Sequence, residues 1–246
     1  MVDALPLELS VARTASVIEA ARECEARVFF ETYGNTREQL ADEYGPYEVS
    51  SVFIAVSESG GDVVGASRLI LPSAIGLKTL DDVARPPWSV DGYASARSAG
   101  IDPMRALDLA TLGVRRSLGG VGRLVSLALG HALTQVARVN SLADVIMIVD
   151  ARARRVISSI GCDTFALPGT RPAPYLGSPE SSPVWFNVAR MLDTQRRDNH
   201  EGFRLVGQGV GFDGIRMPTI TDYAIPVGVP ALRRTVVPAG VATELV

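Results

Sequence analysis

A glycine-rich turn flanked by arginines is the part of this sequence whose residue types point most clearly to a chemical role. Residues 119–122 (Gly-Gly-Val-Gly) follow Arg115 and Arg116 and precede Arg123. A turn of this kind at the start of a helix presents free backbone N–H groups, and the helix dipole adds roughly half a positive charge. We therefore predict a phosphate-binding turn, with a positive φ at Gly120. The alternative is an ordinary turn that needs glycine only for its backbone conformation.

The segments around this turn predict a strand, a helix and a second strand. Residues 106–114 form a short, mostly apolar run of strand length. Residues 122–140 carry apolar side chains at spacings of three and four, which is typical of a helix with one buried face. Residues 145–149 are apolar throughout, as in a strand covered on both faces, and we expect a strand near 144–149. The glycine spacing matches neither a P-loop nor the dinucleotide-binding fingerprint.

Three carboxylates and two arginines are candidates for chemistry. Asp108 interrupts an apolar strand, and burial would raise the pKa of its carboxyl towards the range of a useful general base. Its alternative role is structural, as a cap or as the partner of Arg68. Arg27 and Arg68 could hold the carboxylate of a substrate, or they could pair with Asp42 and Glu48 in a structural ion cluster.

The composition is typical of a globular enzyme. The chain has 246 residues, of which 47% are hydrophobic and 21% charged, and its formal charge is −3. The hydrophobic content excludes a disordered chain. The negative formal charge gives no sign of the basic surface that nucleic-acid binding requires. No apolar run is long enough to span a membrane, and the N-terminus lacks a secretion signal. We therefore expect a cytoplasmic protein.

The cysteines and histidines suggest no metal site. Cys24 and Cys162 are expected to be buried free thiols. His131 is expected in the core and His200 at a solvated helix end. Two distant histidines without a Cys-x-x-Cys pattern predict no metal ion.

The rest of the sequence predicts further elements of one main domain, residues 1–200. Strands are expected near residues 5–11, 51–57, 63–71, 163–167 and 183–190, and helices near 16–30, 79–84 and 151–160. Residues 201–246 form a C-terminal extension. Within it, 203–211 and 224–246 are predicted to be extra strands or an arm packed on the core or on a second subunit of a homodimer.

The order of these elements resembles the GNAT acyltransferase superfamily. Its usual turn, R/Q-x-x-G-x-G/A, is matched at all but one position by residues 116–121 and again by residues 117–122. More narrowly, the helix end at 27–30, the acidic-aromatic stretch at 42–48 and Arg68 before a Leu-Pro pair are similar to the acyl-homoserine-lactone synthases. They are also similar to the related long-chain N-acyl amino acid synthases.

This resemblance implies an α/β fold with a mixed, mostly antiparallel central sheet flanked by helices, and an N-acyltransferase activity. The donor would be an acyl-CoA or the phosphopantetheine thioester of an acyl carrier protein, used as a co-substrate without a permanently bound cofactor. The acceptor would be an amine, such as an amino acid. The implied donor-binding residues are Leu112, Val114, Arg116, Leu118, Gly119, Gly120, Gly122 and Arg123. The candidate general bases are Asp108, Glu48 and Asp42, and the candidate acceptor-binding residues are Arg27 and Arg68.

The sequence also departs from the lactone synthases. Thr111 stands where they have an arginine, three residues after the acidic residue of the fourth strand. Asp42 and Glu48 are further apart than the family's pair of acids, which are three residues apart. The resemblance therefore implies acyl transfer in general rather than homoserine-lactone synthesis. The alternatives to catalysis are an acyl-thioester-binding sensor and a structural scaffold.

Overall fold

The computed structural model describes residues 7–225, in which one mixed β-sheet carries helices on both faces. The strands are β1 (Leu7–Val11), β2 (Ser51–Ser57), β3 (Val63–Ile70), β4 (Ala106–Val114), β5 (Asp144–Asp150), β6 (Phe165–Ala166), β7 (Ala173–Tyr175), β8 (Ser178–Asn187) and β9 (Ile215–Arg216). Their order is β6-β8-β5-β4-β3-β2-β1-β9, with β7 beside β8. Paired strands are antiparallel except β4–β5 and β1–β9. This confirms the predicted α/β fold with a mostly antiparallel sheet.

The helices connect and cover these strands. They are α1 (Ala15–Tyr33), α2 (Arg37–Tyr44), α3 (Lys78–Val83), α4 (Gly92–Ser98), α5 (Val121–Val139), α6 (Ala151–Ser159) and α7 (Val188–Asp198). Short 3₁₀ turns at Gly45–Ser50 and Arg116–Leu118 precede β2 and α5. The bounds of α1, α5 and α6 differ from those of the predicted helices by no more than three residues.

Helix α5 packs against one face of the sheet through a continuous apolar stripe. Val125, Leu129 and Val136 on this stripe are fully buried. Gly65 on β3 allows the close approach, because a Cβ atom there would lie 2.6 Å from Cγ1 of Val125. The main hydrophobic core therefore lies between α5 and the sheet.

Two groups of helices cover the opposite face. α1 packs over β2, β3 and β4, with Ala21 and Cys24 fully buried. α3 and α4 come from the long connection between β3 and β4, and Leu80 and Ala96 anchor them in a second core. Buried polar side chains lie where these two groups meet.

Strands β4 and β5 are paired along only part of their length. Three residue pairs join them, the last being Asp108 opposite Ile146. Beyond that point residues 109–114 continue to pair with β3, while residues 147–150 continue to pair with β8. The sheet thus contains a split with an unpaired backbone edge on each side.

A β-bulge lies at the narrow end of the split. Arg68 pairs with Thr111 while Leu69 pairs with Leu109, so Ala110 is an extra residue in β4. A bulge of this kind changes which face the following side chains occupy. Thr111 consequently faces α1.

The C-terminal part of the described chain differs from the expectation. The expected strand at 203–211 is wrong: His200–Gly202 is helical and runs into a π-helical turn, Phe203–Gly207. The turn packs on α5, where His131 Nδ1 lies 2.8 Å from Val206 O and Gln135 Nε2 donates to Gly207 O over 3.2 Å. These two polar contacts, with Leu205 and Val206 in the main core, favour a helical turn over an extended arm. Residues 226–246 lie outside the described residues.

Other boundaries differ by a few residues. The strand expected at 163–167 is limited to β6, and the one expected at 183–190 ends where Asn187 caps α7 by accepting from Arg190 N. The free thiols Cys24 and Cys162 are buried, as expected. In residues 7–225, none of the helices is long and apolar enough to cross a membrane.

We expect Gly65→Ala to destabilise the protein, because the new Cβ atom would overlap Val125 on α5. Overpacking of this kind typically costs about 1–3 kcal/mol. Urea unfolding followed by circular dichroism measures the change. The matched control is Gly60→Ala in the β2–β3 hairpin, where a Cβ atom meets nothing within 4 Å. Equal stability of the two variants would contradict the close contact between α5 and β3.

Candidate active site

The wide end of the split is formed by the glycine turn. Gly119 has a φ of +51° and Gly120 a φ of −63°, so the positive φ expected at Gly120 lies one residue earlier. Helix α5 then begins at Val121 without a side-chain cap. The amides of Gly120 and Val121 have no acceptor among residues 7–225. Free donors at a helix N-terminus favour an anion.

The side chains around this turn leave it open and positively charged. Arg116 and Arg123 are exposed. A Cβ atom at Gly119 or Gly120 would meet nothing within 4 Å. Between Asp108 and Asp144 the sequence has no acidic residue, so no nearby carboxylate of this segment opposes a bound anion. Leu112 and Val114 lie on the edge of β4 that leads from this turn into the split.

Asp108 lies at the narrow end of the split and is fully buried. Thr79 donates to both of its oxygens, from the backbone N–H to Oδ2 over 2.6 Å and from the hydroxyl to Oδ1 over 2.8 Å. Burial raises the pKa of Asp108 from 3.8 to about 7, against the opposing effects of the Thr79 hydrogen bonds and of Lys78. Asp108 therefore fixes the start of α3 to β4.

A cluster of charges, here the arginine cluster (Arg22, Glu25, Glu48 and Arg68), lies between α1 and the sheet. Glu25 and Arg68 are buried, whereas Arg22 and Glu48 are partly exposed. Arg68 is 4% exposed and donates to Glu25 twice, from Nε over 3.1 Å and from Nη2 over 2.6 Å. Its Nη1 donates to Glu48 Oε2 over 3.0 Å, and Arg22 pairs with the other oxygen of Glu48. Burial opposes the charge of Arg68, but the contributions of Glu25, Glu48 and Tyr44 together outweigh it and raise the pKa. The bidentate geometry makes this a strong pair.

The arginine cluster touches the split through the bulged part of β4. The Thr111 hydroxyl donates to Glu25 Oε1 over 2.5 Å. The Tyr44 hydroxyl donates to Ala110 O over 3.4 Å, and its ring lies 4.7 Å from the guanidinium carbon of Arg68. The position of the bulge is thus tied directly to the buried charges.

A second group, here the lysine cluster (Glu43, Lys78, Asp82 and Tyr175), also lies close to Tyr44. Lys78 Nζ donates to Asp82 Oδ2 over 2.5 Å and to Glu43 Oε2 over 2.8 Å. The Tyr175 hydroxyl donates to the same Asp82 oxygen. Lys78 Nζ also lies 5.1 Å from the centre of the Tyr44 ring. Two cations therefore lie over this ring within about 5 Å of its centre, and the ring quadrupole stabilises such contacts.

Comparison with known proteins identifies the architecture. No protein-family model matches the sequence, and no curated protein matches it. Among solved structures, a CoA-dependent acyl-homoserine lactone synthase, BjaI, with SAM and isopentyl-CoA, superposes with a TM-score of 0.58 at 14% identity, covering 89% of this chain and 97% of that one. FeeM, an N-acyl amino acid synthase from uncultured soil microbes, gives 0.56 at 12% identity, covering 77% and 95%. The acyl-homoserine lactone synthase LasI gives 0.54 at 13% identity, covering 82% and 94%.

The chain shares the fold of these three proteins. The superposition extends over nearly the whole length of each of these three proteins. It confirms the predicted architecture, a mostly antiparallel sheet flanked by helices.

The structure brings some of the candidate residues together and separates others. Glu48 and Arg68 meet in the arginine cluster, and Asp108 lies nearby on β4. Arg27 and Asp42 are exposed and make no ion pair within the described range. Their roles, like those of all the candidate residues, stay predictions.

Three charged residues central to the site were not predicted. Glu25 follows Cys24 on the buried stripe of α1, and a carboxylate among apolar neighbours was the available signal. Lys78 and Asp82 are four residues apart, a spacing that favours a pair on a short helix. His131 is buried against Val206 O, as expected of a core histidine, and burial lowers its pKa. No group of acids, cysteines and histidines in residues 7–225 could hold a metal ion.

The raised pKa of Asp108 predicts a pH dependence of stability. Between pH 4 and pH 7 the folded protein keeps a proton that the unfolded chain has lost, so the free energy of unfolding falls as pH rises. The full effect is on the order of 4 kcal/mol, at 1.36 kcal/mol per pKa unit. Asp108→Asn removes this titration. We expect the stability of wild type relative to the variant to fall between pH 4 and pH 7, as measured by urea unfolding. A constant difference would contradict the raised pKa.

Proposed function

We propose that this protein is an N-acyltransferase. It moves an acyl group from the thioester of acyl-CoA, or of an acyl carrier protein, to an amine. The observation that carries the proposal is the split between β4 and β5, which leads from a turn with free amides to a buried cluster of charges.

The donor's phosphates would bind at the wide end. The amides of Gly120 and Val121 supply hydrogen-bond donors, and Arg116 and Arg123 supply positive charge. The pantetheine arm would then lie along residues 109–114, whose unpaired edge can accept an extended chain much as a sheet edge accepts a strand. The thioester would thereby reach the narrow end, beside the bulge at Ala110.

The acceptor amine would attack the thioester carbonyl at that end. The new C–N bond forms as the C–S bond breaks; the thiolate leaves as CoA or carrier thiol, and the amine loses a proton to a base. Among the three candidate bases, Glu48 best fits this role, because its side chain is 34% exposed and lies at the edge of the arginine cluster. Asp108 is fully buried, and its hydrogen bonds with Thr79 support a positioning role at the start of α3.

The acceptor's remaining groups would meet the same clusters. Arg68 already donates to two carboxylates, so binding an acceptor carboxylate would require Glu48 to move. Arg27 is exposed and lies on the same helix as Glu25, which leaves it available to a substrate. Thr111 donates to Glu25 where the lactone synthases have an arginine, and this supports an acceptor other than theirs.

Gly119→Val should weaken binding of the donor. Valine strongly resists the φ of +51°, so the turn would distort, whereas the space around it stays empty. We expect the affinity for CoA, measured by isothermal titration calorimetry, to fall at least tenfold. Gly100→Val is the matched control, because Gly100 also has a positive φ and open space but lies after α4. Equal affinities of both variants for CoA would contradict a phosphate site at this turn.

Glu48→Gln should slow turnover while donor binding persists. Loss of a general base typically costs about a hundred- to ten-thousandfold in rate. Release of free thiol from acyl-CoA or an acyl carrier protein, in the presence of an amine, measures the reaction. Glu58→Gln in the β2–β3 hairpin is the control for removal of a carboxylate.

Asp108→Asn distinguishes the role of Asp108 from that of Glu48. A positioning role predicts a smaller loss of kcat with a rise in KM for the amine, whereas a general base predicts the full loss at unchanged donor affinity. Normal turnover in both variants would show that the base lies elsewhere. Binding of CoA by the wild type without transfer to any amine would favour a sensor over an enzyme.

A further inference from the structure

A hydrogen bond crosses the split between β4 and β5 on the side of α1. Tyr33, the last residue of α1, donates from its hydroxyl to Oδ2 of Asp150, the last residue of β5. α1 packs on β3 and β4, whereas β5 belongs to the other side of the split. The bond therefore joins two parts of the sheet that are not paired with each other at this level.

A second contact supports the bridge. A Cβ atom at Gly177, in the turn between β7 and β8, would lie 2.5 Å from the backbone oxygen of Tyr33. Only glycine therefore permits this turn to reach the end of α1. β8 pairs with β5, so this contact also links α1 to the far side of the split.

The bridge is held in one arrangement by its surroundings. The second oxygen of Asp150 caps α6 by accepting from Ala153 N over 2.6 Å. The Tyr33 ring packs on Phe29, with ring centres 5.6 Å apart. Burial and the Asp150 carboxylate raise the pKa of Tyr33, so its hydroxyl stays a hydrogen-bond donor at neutral pH.

We propose that the hydrogen bond between Tyr33 and Asp150 is a strap that closes over the pantetheine arm of the acyl donor. The inference rests on the proposed function, because it needs a donor in the split. The strap opens for the arm to enter and closes again over the bound arm. Tyr33 and Asp150 are positioning residues: they hold the arm against β4 and touch neither the thioester carbonyl nor the amine.

If the strap limits access to the split, weakening the strap should speed both association and dissociation of the donor. Tyr33→Phe removes the hydroxyl, and Asp150→Asn weakens the bond while keeping a cap for α6. In each variant, surface plasmon resonance with CoA and octanoyl-CoA should show association and dissociation rates that both rise about tenfold, the effect of losing one hydrogen bond to a charged group. The equilibrium dissociation constant should change by less than about threefold, since both rates move together.

Tyr223→Phe is the matched control. It removes a tyrosine hydroxyl that is buried without a partner among residues 7–225, and Tyr223 packs near α5 on the other face of the sheet. Its rates should equal those of the wild type. The double variant Tyr33→Phe/Asp150→Asn should behave like either single variant, because both changes break the same bond.

Three results would overturn the strap. Unchanged rates in Tyr33→Phe would show that the bond does not limit access, and additive effects in the double variant would show that the two residues act separately. A rise in dissociation alone would mean that Tyr33 contacts the donor directly. Failure of the wild type to bind either CoA compound or an acyl carrier protein would instead refute the donor site itself, and the proposed function with it.

Discussion

The backbone hydrogen bonds between β4 and β5 stop after Asp108 and Ile146, and the neighbouring features are arranged around that interruption. An unpaired edge inside a sheet leaves polar N–H and C=O groups that need partners. Here β3 and β8 hold the two diverging strands from outside, and the bulge at Ala110 turns Thr111 towards α1. The glycine turn occupies one end of the opening and buried charges occupy the other.

The arginine and lysine clusters explain how such an opening stays fixed. A buried ion pair gains little net stability over apolar packing, but removing one partner is strongly destabilising. Arg68 joins α1, β3 and the turn before β2, while Lys78 joins α2 and α3. Tyr44 lies close to both cations and reaches β4. These contacts join α1, α2, α3, β3, β4 and the turn before β2 around the narrow end.

The sequence predicted the fold where local pattern decides the structure, and failed where distant contacts decide it. β4 and α5 have strong local periodicity, and their observed bounds differ from the predicted ones by no more than one residue. The helical turn at 203–207 depends on acceptors for His131 and Gln135, which no local pattern shows. The partner of Arg68 could not be chosen from sequence, because Glu25 and Glu48 become neighbours only when α1 folds over β3.

The tight packing of Gly65 against Val125 also bears on the entropy of binding. A flexible loop that becomes ordered around a ligand loses conformational freedom, and that loss weakens the observed affinity. Helix α5 is instead pressed against β3 along its buried stripe, so the amides at its first turn have their orientation before any anion arrives. The absence of a side chain at Gly65 thus lets helix packing set the direction of amides about one helix turn away.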